Sequence, residues 1–278
     1  MRTGYRDLTA DEVRAFIKSR RQGTYTLLDV RQDWEYEEEH IPGSFHIPLP
    51  ELSDRLHEIP RDKPAIAYCR SGGRSSAAAA MLRDNKVAEV YNLTDGMSGW
   101  RGEAAVGPGS AGLLAFSGDE STAEVVALAC RMEVQLGDFY RTMAKTATVD
   151  DVRDLLEKLA DFEDRHQTWL LTIYQKLTGE ALDPALLTAS AQDEGAAMLE
   201  GGLTAEEFIR RNTPALDTPT GVIEAGMMFE AQALDLYTRY AARSANEASR
   251  ALLYKMADEE KRHLKALGTL LDKVARKD

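Results

Sequence analysis

Short apolar runs alternate with amphipathic segments along the first hundred residues of the chain. The runs predict buried strands and the amphipathic segments predict helices. Predicted strands lie at 25–30, 64–69 and 89–93, and predicted helices lie at 51–59, 74–85 and 96–101. Thr9 and Glu12 form a capping box that opens a further helix before the first strand. Strands and helices in alternation predict an α/β domain with a parallel sheet covered on both faces.

The pattern changes after about residue 118, where apolar residues recur at the three- and four-residue spacing of amphipathic helices. Four such helices are predicted, which favours an all-α four-helix bundle. Each apolar stripe contains a glutamate, and two of the stripes add a histidine three residues later. These polar residues are Glu133 on the first helix, Glu163 and His166 on the second, Glu230 on the third, and Glu260 and His263 on the fourth.

The bundle sequence contains an internal repeat. The residues Glu133, Tyr140, Glu163 and His166 recur 97 positions later as Glu230, Tyr237, Glu260 and His263. Neighbouring apolar and charged residues repeat at the same offset. A repeat of this kind predicts two helical hairpins that face each other and bring their polar residues together.

Four ionised carboxylates inside one apolar core would repel one another and would lose their hydration. The stripes carry no lysine or arginine that could neutralise them. One glutamate from each of two helices and Glu-x-x-His from each of the other two is a known arrangement for a pair of metal ions. The alternative is that the acids pair with the histidines alone. Glu37 and His40 share the Glu-x-x-His spacing without a helical stripe, so we predict that they are solvated.

Residues 118–278 resemble the di-iron domain of rubrerythrins and their ferritin-like relatives. The resemblance implies two iron ions, with manganese as the alternative, held by the six repeated Glu and His residues. It also implies that Tyr140 and Tyr237 hydrogen-bond the ligand carboxylates, although both could simply pack in the core. The sequence shows no paired Cys-x-x-Cys of a rubredoxin module, so electrons are expected from another protein or from the sulfur chemistry of Cys69.

A second candidate site follows the predicted strand 64–69. Cys69 ends this strand, and the segment Arg70-Ser71-Gly72-Gly73-Arg74-Ser75 leads into the next helix. In a parallel sheet the reactive crevice lies beyond the carboxyl ends of the strands. Glycines let several backbone N–H groups point at one place, beside a helix N-terminus and two guanidinium groups. This setting favours a thiolate with a bound anion, whereas a buried structural cysteine would not explain the glycines and arginines.

Four ordered motifs in residues 1–106 resemble a single-domain rhodanese. They are Leu28-Asp29-Val30-Arg31, His40-Ile41-Pro42-Gly43-Ser44, Cys69 to Arg74, and Asn92-Leu93 before Gly96 and Trp100. The resemblance implies that Cys69 accepts a sulfane sulfur, that Arg70 and Arg74 hold an anionic donor, and that the loop residues Ser71, Gly72, Gly73 and Ser75 cradle the sulfur. Asp29 and Arg31 would form a structural pair.

Charge and cysteine content limit the setting of the protein. The net charge is −12, of which −2 falls in residues 1–110 and −10 in the remainder, so nucleic acid is not an expected partner. No long apolar run indicates a membrane span. Cys69 and Cys130 lie in different predicted domains, which favours a reducing, cytoplasmic location. A Gly- and Pro-containing linker is predicted at 107–117.

The two resemblances together imply a sulfurtransferase joined to a non-haem di-iron domain that reduces peroxide or carries out sulfur-linked redox chemistry. Expected partners are a small sulfur donor such as thiosulfate or a persulfide, a thiol acceptor, and a second copy of the chain in a homodimer. Two alternatives stay open. The bundle could store iron without turnover, or the first domain could act as a thiol or persulfide sensor that controls the bundle.

Overall fold

The structure, a computed structural model, describes residues 4–109, 119–183 and 216–275. Its first part is a five-stranded sheet in the order β1-β5-β4-β2-β3, and every neighbouring pair of strands is parallel. The strands are β1 Arg6–Leu8, β2 Thr26–Asp29, β3 Phe45–His46, β4 Ala65–Tyr68 and β5 Val90–Leu93. The helices of this domain are α1 Ala10–Ser19, α2 Asp33–Glu38, α3 Leu52–Arg55, α4 Gly73–Asp84 and α5 Gly96–Gly99.

Both faces of the sheet are covered, as the sequence predicts. Successive strand residues point to opposite faces, so Leu27 and Leu28 belong to different apolar clusters. Leu27 packs in the cluster that includes Val13 of α1. Leu28 packs in the cluster that includes Ala78 and Leu82 of α4. The continuous apolar strands therefore reflect burial on two sides.

Not every predicted element has its predicted form. The predicted helix 51–59 is shorter than expected, because the α-helical part is α3 alone, between two 3₁₀ turns at Leu49–Glu51 and Leu56–Glu58. Pro50 lies inside the first turn and Pro60 follows the last, and proline restricts helix growth at both places. Strands β1 and β3 escaped prediction since they contain only three and two residues.

The described residues of the second part of the molecule form four long helices: α6 Thr122–Thr146, α7 Asp150–Thr178, α8 Pro219–Arg243 and α9 Glu247–Val274. Helix α6 packs along α7, and α8 packs along α9, which gives the two hairpins that the repeat predicts. The fold class is therefore a parallel α/β sheet followed by a helical bundle. Prolines and glycines between Gly179 and Thr220 predict a long crossover between the second and third helices, but residues 184–215 lie outside the described part of the chain.

The ends of these helices differ from the predicted caps in two places. The sequence predicts capping boxes of Ser117 with Glu120 and of Ser244 with Glu247, and it predicts a helix end at Gly179. The box that opens α6 is formed by Ser121 and Glu124, one turn later than predicted. The N-cap of α9 is Asn246, whose side chain accepts from two backbone N–H groups, so the predicted Ser244 box is wrong. Gly179 ends α7 in a left-handed conformation as predicted.

Two apolar clusters fill the bundle, one toward each end. On α6, Glu133 lies between Met132 of one cluster and Leu136 of the other. On α8, Glu230 lies between Phe229 and Ala231 in the same way. The acids therefore sit near the middle of the bundle, where the two clusters meet. No helix in the described ranges 4–109, 119–183 and 216–275 is long and apolar enough to cross a membrane.

Candidate active site and metal centre

Cys69 lies directly after β4, at the carboxyl edge of the sheet, and it is a buried free thiol. The backbone turns sharply after it, and α4 begins at Gly73. The Ser75 hydroxyl lies 3.4 Å from Cys69 Sγ and donates toward it. Two backbone bonds fix the loop from the other side, from the N–H of Met97 to the Cys69 carbonyl and from the N–H of Ser98 to the Arg70 carbonyl.

Two glycines are required to build this loop. Gly72 has φ +86°, and a Cβ there would lie 2.2 Å from the Thr94 carbonyl oxygen. Gly96 has φ +56°, and its Cβ would lie 2.4 Å from backbone atoms of Arg70 and Cys69. Both positions exclude a side chain for two reasons, backbone conformation and space. Gly73 is different, because a Cβ there would meet nothing within 4 Å.

The pKa of the Cys69 thiol lies below its ordinary value. Burial alone would raise this pKa, but hydrogen bonds from the Ser75 hydroxyl and from the backbone N–H groups of Ser75, Ser71 and Gly72 outweigh it. These donors stabilise a thiolate more than a thiol. The same donors can stabilise the negative charge of a terminal sulfur added to Cys69. The loop is therefore suited to an anionic sulfur nucleophile.

We predict that Ser75→Ala raises the pKa of Cys69, because it removes the hydroxyl donor and leaves the backbone donors in place. At a fixed pH near neutrality the thiolate fraction falls, so alkylation by iodoacetamide becomes slower. The pH dependence of the alkylation rate measures this shift. Ser76→Ala is the matched control, since the Ser76 hydroxyl contacts Tyr5 and not the thiol. An unchanged or lower midpoint in Ser75→Ala would contradict the prediction.

The two arginines of the loop have different environments. Arg74 forms two hydrogen bonds to Glu35, of 2.6 and 2.7 Å, in the bidentate geometry typical of a strong ion pair. This pairing lowers the pKa of Glu35 to about 2, with help from a hydrogen bond donated by the Gln32 N–H and against the opposing effect of burial. Arg70 is exposed at the rim of the loop. The structure therefore gives Arg74 a structural partner that sequence reasoning missed.

Other residues of the rhodanese-like motifs form buried contacts beside the Cys69 loop. Arg31 and Asp29 form a buried ion pair of 2.7 Å, as the resemblance implies. The Ser75 hydroxyl also lies 2.7 Å from Asn92 Oδ1, and Asn92 Nδ2 donates to Asp7. Asn92 belongs to the Asn92-Leu93 motif, but its hydrogen bond with Ser75 could not be predicted without knowing that β4 pairs with β5.

The six predicted metal ligands come together in two groups. In each group, one ligand atom per residue lies within 4.8 Å of the others. The first group contains Glu133, Glu163 and His166, and the second contains Glu230, Glu260 and His263. The two imidazole rings stack at 3.9 Å between centroids, so the groups face each other across the repeat. The four carboxylates are buried, and both histidines are partly exposed.

The donor set fits a pair of metal ions. Nδ1 of His166 lies 3.3 Å from Glu133 and 3.1 Å from Glu163, and Nδ1 of His263 lies 3.2 Å from Glu230 and 2.8 Å from Glu260. One imidazole nitrogen therefore faces two carboxylates in each group. Four buried carboxylates carry more negative charge than two imidazolium ions could balance, and a pair of divalent cations would supply the difference. Imidazole with carboxylate suits iron and manganese.

A pocket of about 130 Å³ adjoins this cluster. Its walls include ligands from both groups together with Trp169, Met256 and Glu259. The Lys255 ammonium lies 5.0 Å from the centroid of the Trp169 ring, so the aromatic wall of the pocket also contacts a cation. Tyr140 and Tyr237 are buried in the bundle. Their proposed hydrogen bonds to ligands stay a prediction.

The prediction for His40 is wrong. This residue is buried rather than solvated, and its ring stacks on Tyr36 at 3.7 Å between centroids. Nδ1 donates to the Tyr36 carbonyl at 2.8 Å, and Nε2 lies 3.3 Å from Asp235 on α8. Local sequence could not reveal this position, because the covering surface comes from the other domain. Glu37 is exposed as expected.

Comparisons with known proteins agree with both parts of the structure. A family model described as Rhodanese-like domain matches residues 9–103, and one described as Rubrerythrin matches residues 124–193. The Bacillus subtilis protein YqhL is 42% identical over 96 residues, which cover 34% of this chain and 72% of that protein. Thiosulfate sulfurtransferase GlpE of Pseudomonas syringae is 37% identical over 82 residues, which cover 30% of this chain and 76% of the relative.

Solved structures also match the first domain. A rhodanese-related protein from Thermoplasma volcanium is 32% identical, with a TM-score of 0.31, and the match covers 34% of this chain and 90% of that one. A rhodanese-like domain protein from Staphylococcus aureus is 24% identical, with a TM-score of 0.34, over 36% and 97% of the two chains. The chain belongs to the rhodanese-like family through its first domain, and the rubrerythrin model matches the part of the chain that follows it.

Proposed function

We propose that Cys69 is the nucleophile of a sulfurtransferase that takes sulfane sulfur from a small anionic donor such as thiosulfate or a persulfide. The observation that carries this proposal is the free thiol at the end of β4, surrounded by the Ser75 hydroxyl and three backbone N–H groups that lower its pKa. The sequence similarity to a thiosulfate sulfurtransferase supports the same chemistry.

The reaction balances in two steps with thiosulfate as donor. The Cys69 thiolate attacks the outer sulfur of thiosulfate, the S–S bond of the donor breaks, and sulfite leaves with the electron pair. Cys69 then carries a persulfide anion, which the N–H groups of Ser71, Gly72 and Ser75 stabilise. An acceptor thiolate attacks the terminal sulfur, a new persulfide forms on the acceptor, and the Cys69 thiolate returns. The loop supplies fixed donors in both steps.

Sulfite release from thiosulfate in the presence of a thiol acceptor tests this function. We expect the full chain to release sulfite catalytically, with one equivalent of sulfur transferred to the acceptor per sulfite. Excess thiol converts the acceptor persulfide to disulfide and sulfide, so sulfite without a matching sum of acceptor persulfide and sulfide would indicate a different reaction. An absence of sulfite from thiosulfate and of transfer from a small persulfide would contradict the proposal.

The unequal environments of Arg70 and Arg74 predict different effects of substitution. Arg70→Gln removes an exposed cation at the rim, so we expect the KM for thiosulfate to rise while the melting temperature stays unchanged. Arg74→Gln leaves the Glu35 carboxylate, whose side chain is 7% exposed, without its cation. We expect this change to cost about 1–3 kcal/mol in unfolding free energy.

Steady-state kinetics and thermal unfolding of both variants measure this difference, with Arg70→Lys as the charge-preserving control. The prediction fails if Arg74→Gln unfolds like the wild type, or if Arg70→Gln affects stability and leaves KM unchanged.

We further propose that the two groups in the bundle bind two iron ions, with manganese as the alternative. When bound, such a pair supplies redox and Lewis-acid chemistry that can cleave the O–O bond of peroxide. Glu133, Glu163 and His166 would hold one ion, and the second group would hold the other. The adjoining pocket admits a molecule of this small size beside both histidines. Electrons would come from an external donor protein or from a sulfur compound.

Peroxide consumption by the iron-loaded full chain tests the role of the bundle. With a chemical reductant in excess, we expect many equivalents of peroxide to be consumed per chain. A single stoichiometric oxidation followed by iron retention would instead support a storage role.

A cytoplasmic location and a homodimer are part of the same proposal, and the two free cysteines support the reducing location.

A further inference from the structure

The first domain rests on helix α8 through a buried polar contact. Asp235 accepts from the Gly43 N–H at 2.8 Å and from Arg239 Nε at 2.6 Å, and His40 Nε2 lies 3.3 Å from it. Gln232 accepts from the Val106 N–H at 2.8 Å and donates to the Val106 carbonyl at 3.0 Å. These bonds satisfy backbone groups on the domain surface, which makes the contact specific in position.

The same domain contacts α9 on either side of a proposed metal ligand. Asp258 accepts from the Gln22 N–H at 2.9 Å. Lys261 Nζ donates to the carbonyls of Ile17 and Arg20, at 3.0 and 2.7 Å, at the end of α1. Asp258 and Lys261 lie one helical turn apart, and Glu260 lies between them in the sequence. The first domain therefore holds the backbone segment that presents Glu260.

The internal repeat offers a direct comparison with the other hairpin. Gln135, Asp138 and Asp161 occupy the positions of Gln232, Asp235 and Asp258, 97 residues earlier. Yet the Asp138 side chain is 65% exposed and the Asp235 side chain is 3% exposed. The three repeated residues therefore do not explain why the first domain packs on the second hairpin and not on the first.

The remaining positions explain why only α8 and α9 are covered. Thr142 stands where Arg239 stands in the second half, and Asp164 stands where Lys261 stands. The first half thus lacks both cations that contact the first domain. Arg141 pairs there with Asp138 and Asp164 on its own hairpin. The second hairpin alone carries a surface complementary to the carbonyls of Ile17, Arg20 and Gly109.

We propose that the rhodanese-like domain acts as a clamp on the second hairpin and makes Glu230, Glu260 and His263 the tighter of the two metal sites. This inference rests on the proposed metal centre. A ligand group on a backbone that is already fixed loses less conformational freedom when it binds an ion. No contact between the first domain and the hairpin of Glu133, Glu163 and His166 is seen among the described residues. The two ligand groups therefore have the same residue types but different affinities for a metal ion.

Anaerobic titration of the metal-free full chain with Co²⁺, followed by optical absorption, measures the two affinities. We expect two phases in the wild type. Glu260→Gln should remove the tighter phase, and Glu163→Gln should remove the weaker one. The clamp variant Asp235→Asn with Lys261→Ala should weaken the tighter phase about tenfold and leave the weaker phase unchanged. Its matched control, Asp138→Asn with Asp164→Ala, should leave both phases unchanged.

Hydrogen exchange of residues 17–23 and 40–44 reports separately whether the clamp has opened. Faster exchange in the clamp variant with an unchanged tighter phase would overturn the proposal, as would equal weakening of both phases. Unchanged exchange would also overturn it, since these contacts would then not hold the domain. If Asp235→Asn with Lys261→Ala fails to fold, Gln232→Ala serves in its place, because it removes only the two hydrogen bonds to Val106. Gln135→Ala is its control. Absence of Co²⁺ binding in the wild type would instead refute the metal centre itself.

Discussion

Cys69→Ser is expected to abolish sulfur uptake from thiosulfate. A serine hydroxyl is too weak an acid to form the anion that attacks the donor, and the surrounding donors cannot compensate for that difference. We expect sulfite release to fall by at least about a thousandfold. The mass of the intact chain should no longer increase by one sulfur atom after treatment with the donor.

Cys130→Ser is the control for this experiment. Cys130 is the other free thiol, and burial raises its pKa to about 11, so it should not compete as a nucleophile. This variant should keep sulfur uptake at the level of the wild type. A sulfur adduct that persists in Cys69→Ser, or that disappears in Cys130→Ser, would place the nucleophile elsewhere.

Glu163→Ala with Glu260→Ala is expected to abolish metal binding in the bundle. Each substitution removes a buried carboxylate from one of the two ligand groups, so neither group keeps its Glu-x-x-His pair. Elemental analysis after reconstitution with Fe²⁺ should show two ions per wild-type chain and none retained by the double variant. Glu157→Ala with Asp272→Ala removes two exposed carboxylates from the same helices and should retain both ions.

Thermal unfolding provides an independent result for the same variants. Without metal, the double variant should be at least as stable as the wild type, because it reduces the number of buried carboxylates in the centre of the bundle from four to two. With metal, only the wild type and the exposed-site control should gain stability, since binding to the native state raises its melting temperature. Retained metal in the double variant, or a large loss of stability without metal, would contradict the ligand assignment.

Both candidate sites could be predicted because their polar residues interrupt regular apolar patterns in the sequence. Cys69 follows a fully apolar strand, and the glutamates interrupt helical apolar stripes, so both sites appear as local exceptions to a regular pattern. The repeat then shows that the acids belong together. These signals depend only on strand and helix periodicity, which burial imposes on the sequence.

Features that depend on contacts between distant segments could not be predicted. Arg74 was expected to face the donor, but its pairing with Glu35 depends on where α2 lies relative to the loop. His40 was expected in solvent, and only the position of α8 explains its burial. Asn246 and Ser244 are both residue types that favour the N-cap position, so the sequence alone does not decide which of them caps α9.

Native mass spectrometry of the full chain tests the central claim, that one chain carries a sulfur-accepting cysteine and a two-ion metal centre. The protein is loaded anaerobically with Fe²⁺, freed of unbound metal, treated with thiosulfate and measured before and after thiol reduction. We expect a single species with two iron ions and one added sulfur on Cys69, and a thiol should remove the sulfur and leave the iron. Chains that retain no iron, or that carry sulfur at a residue other than Cys69, would contradict it.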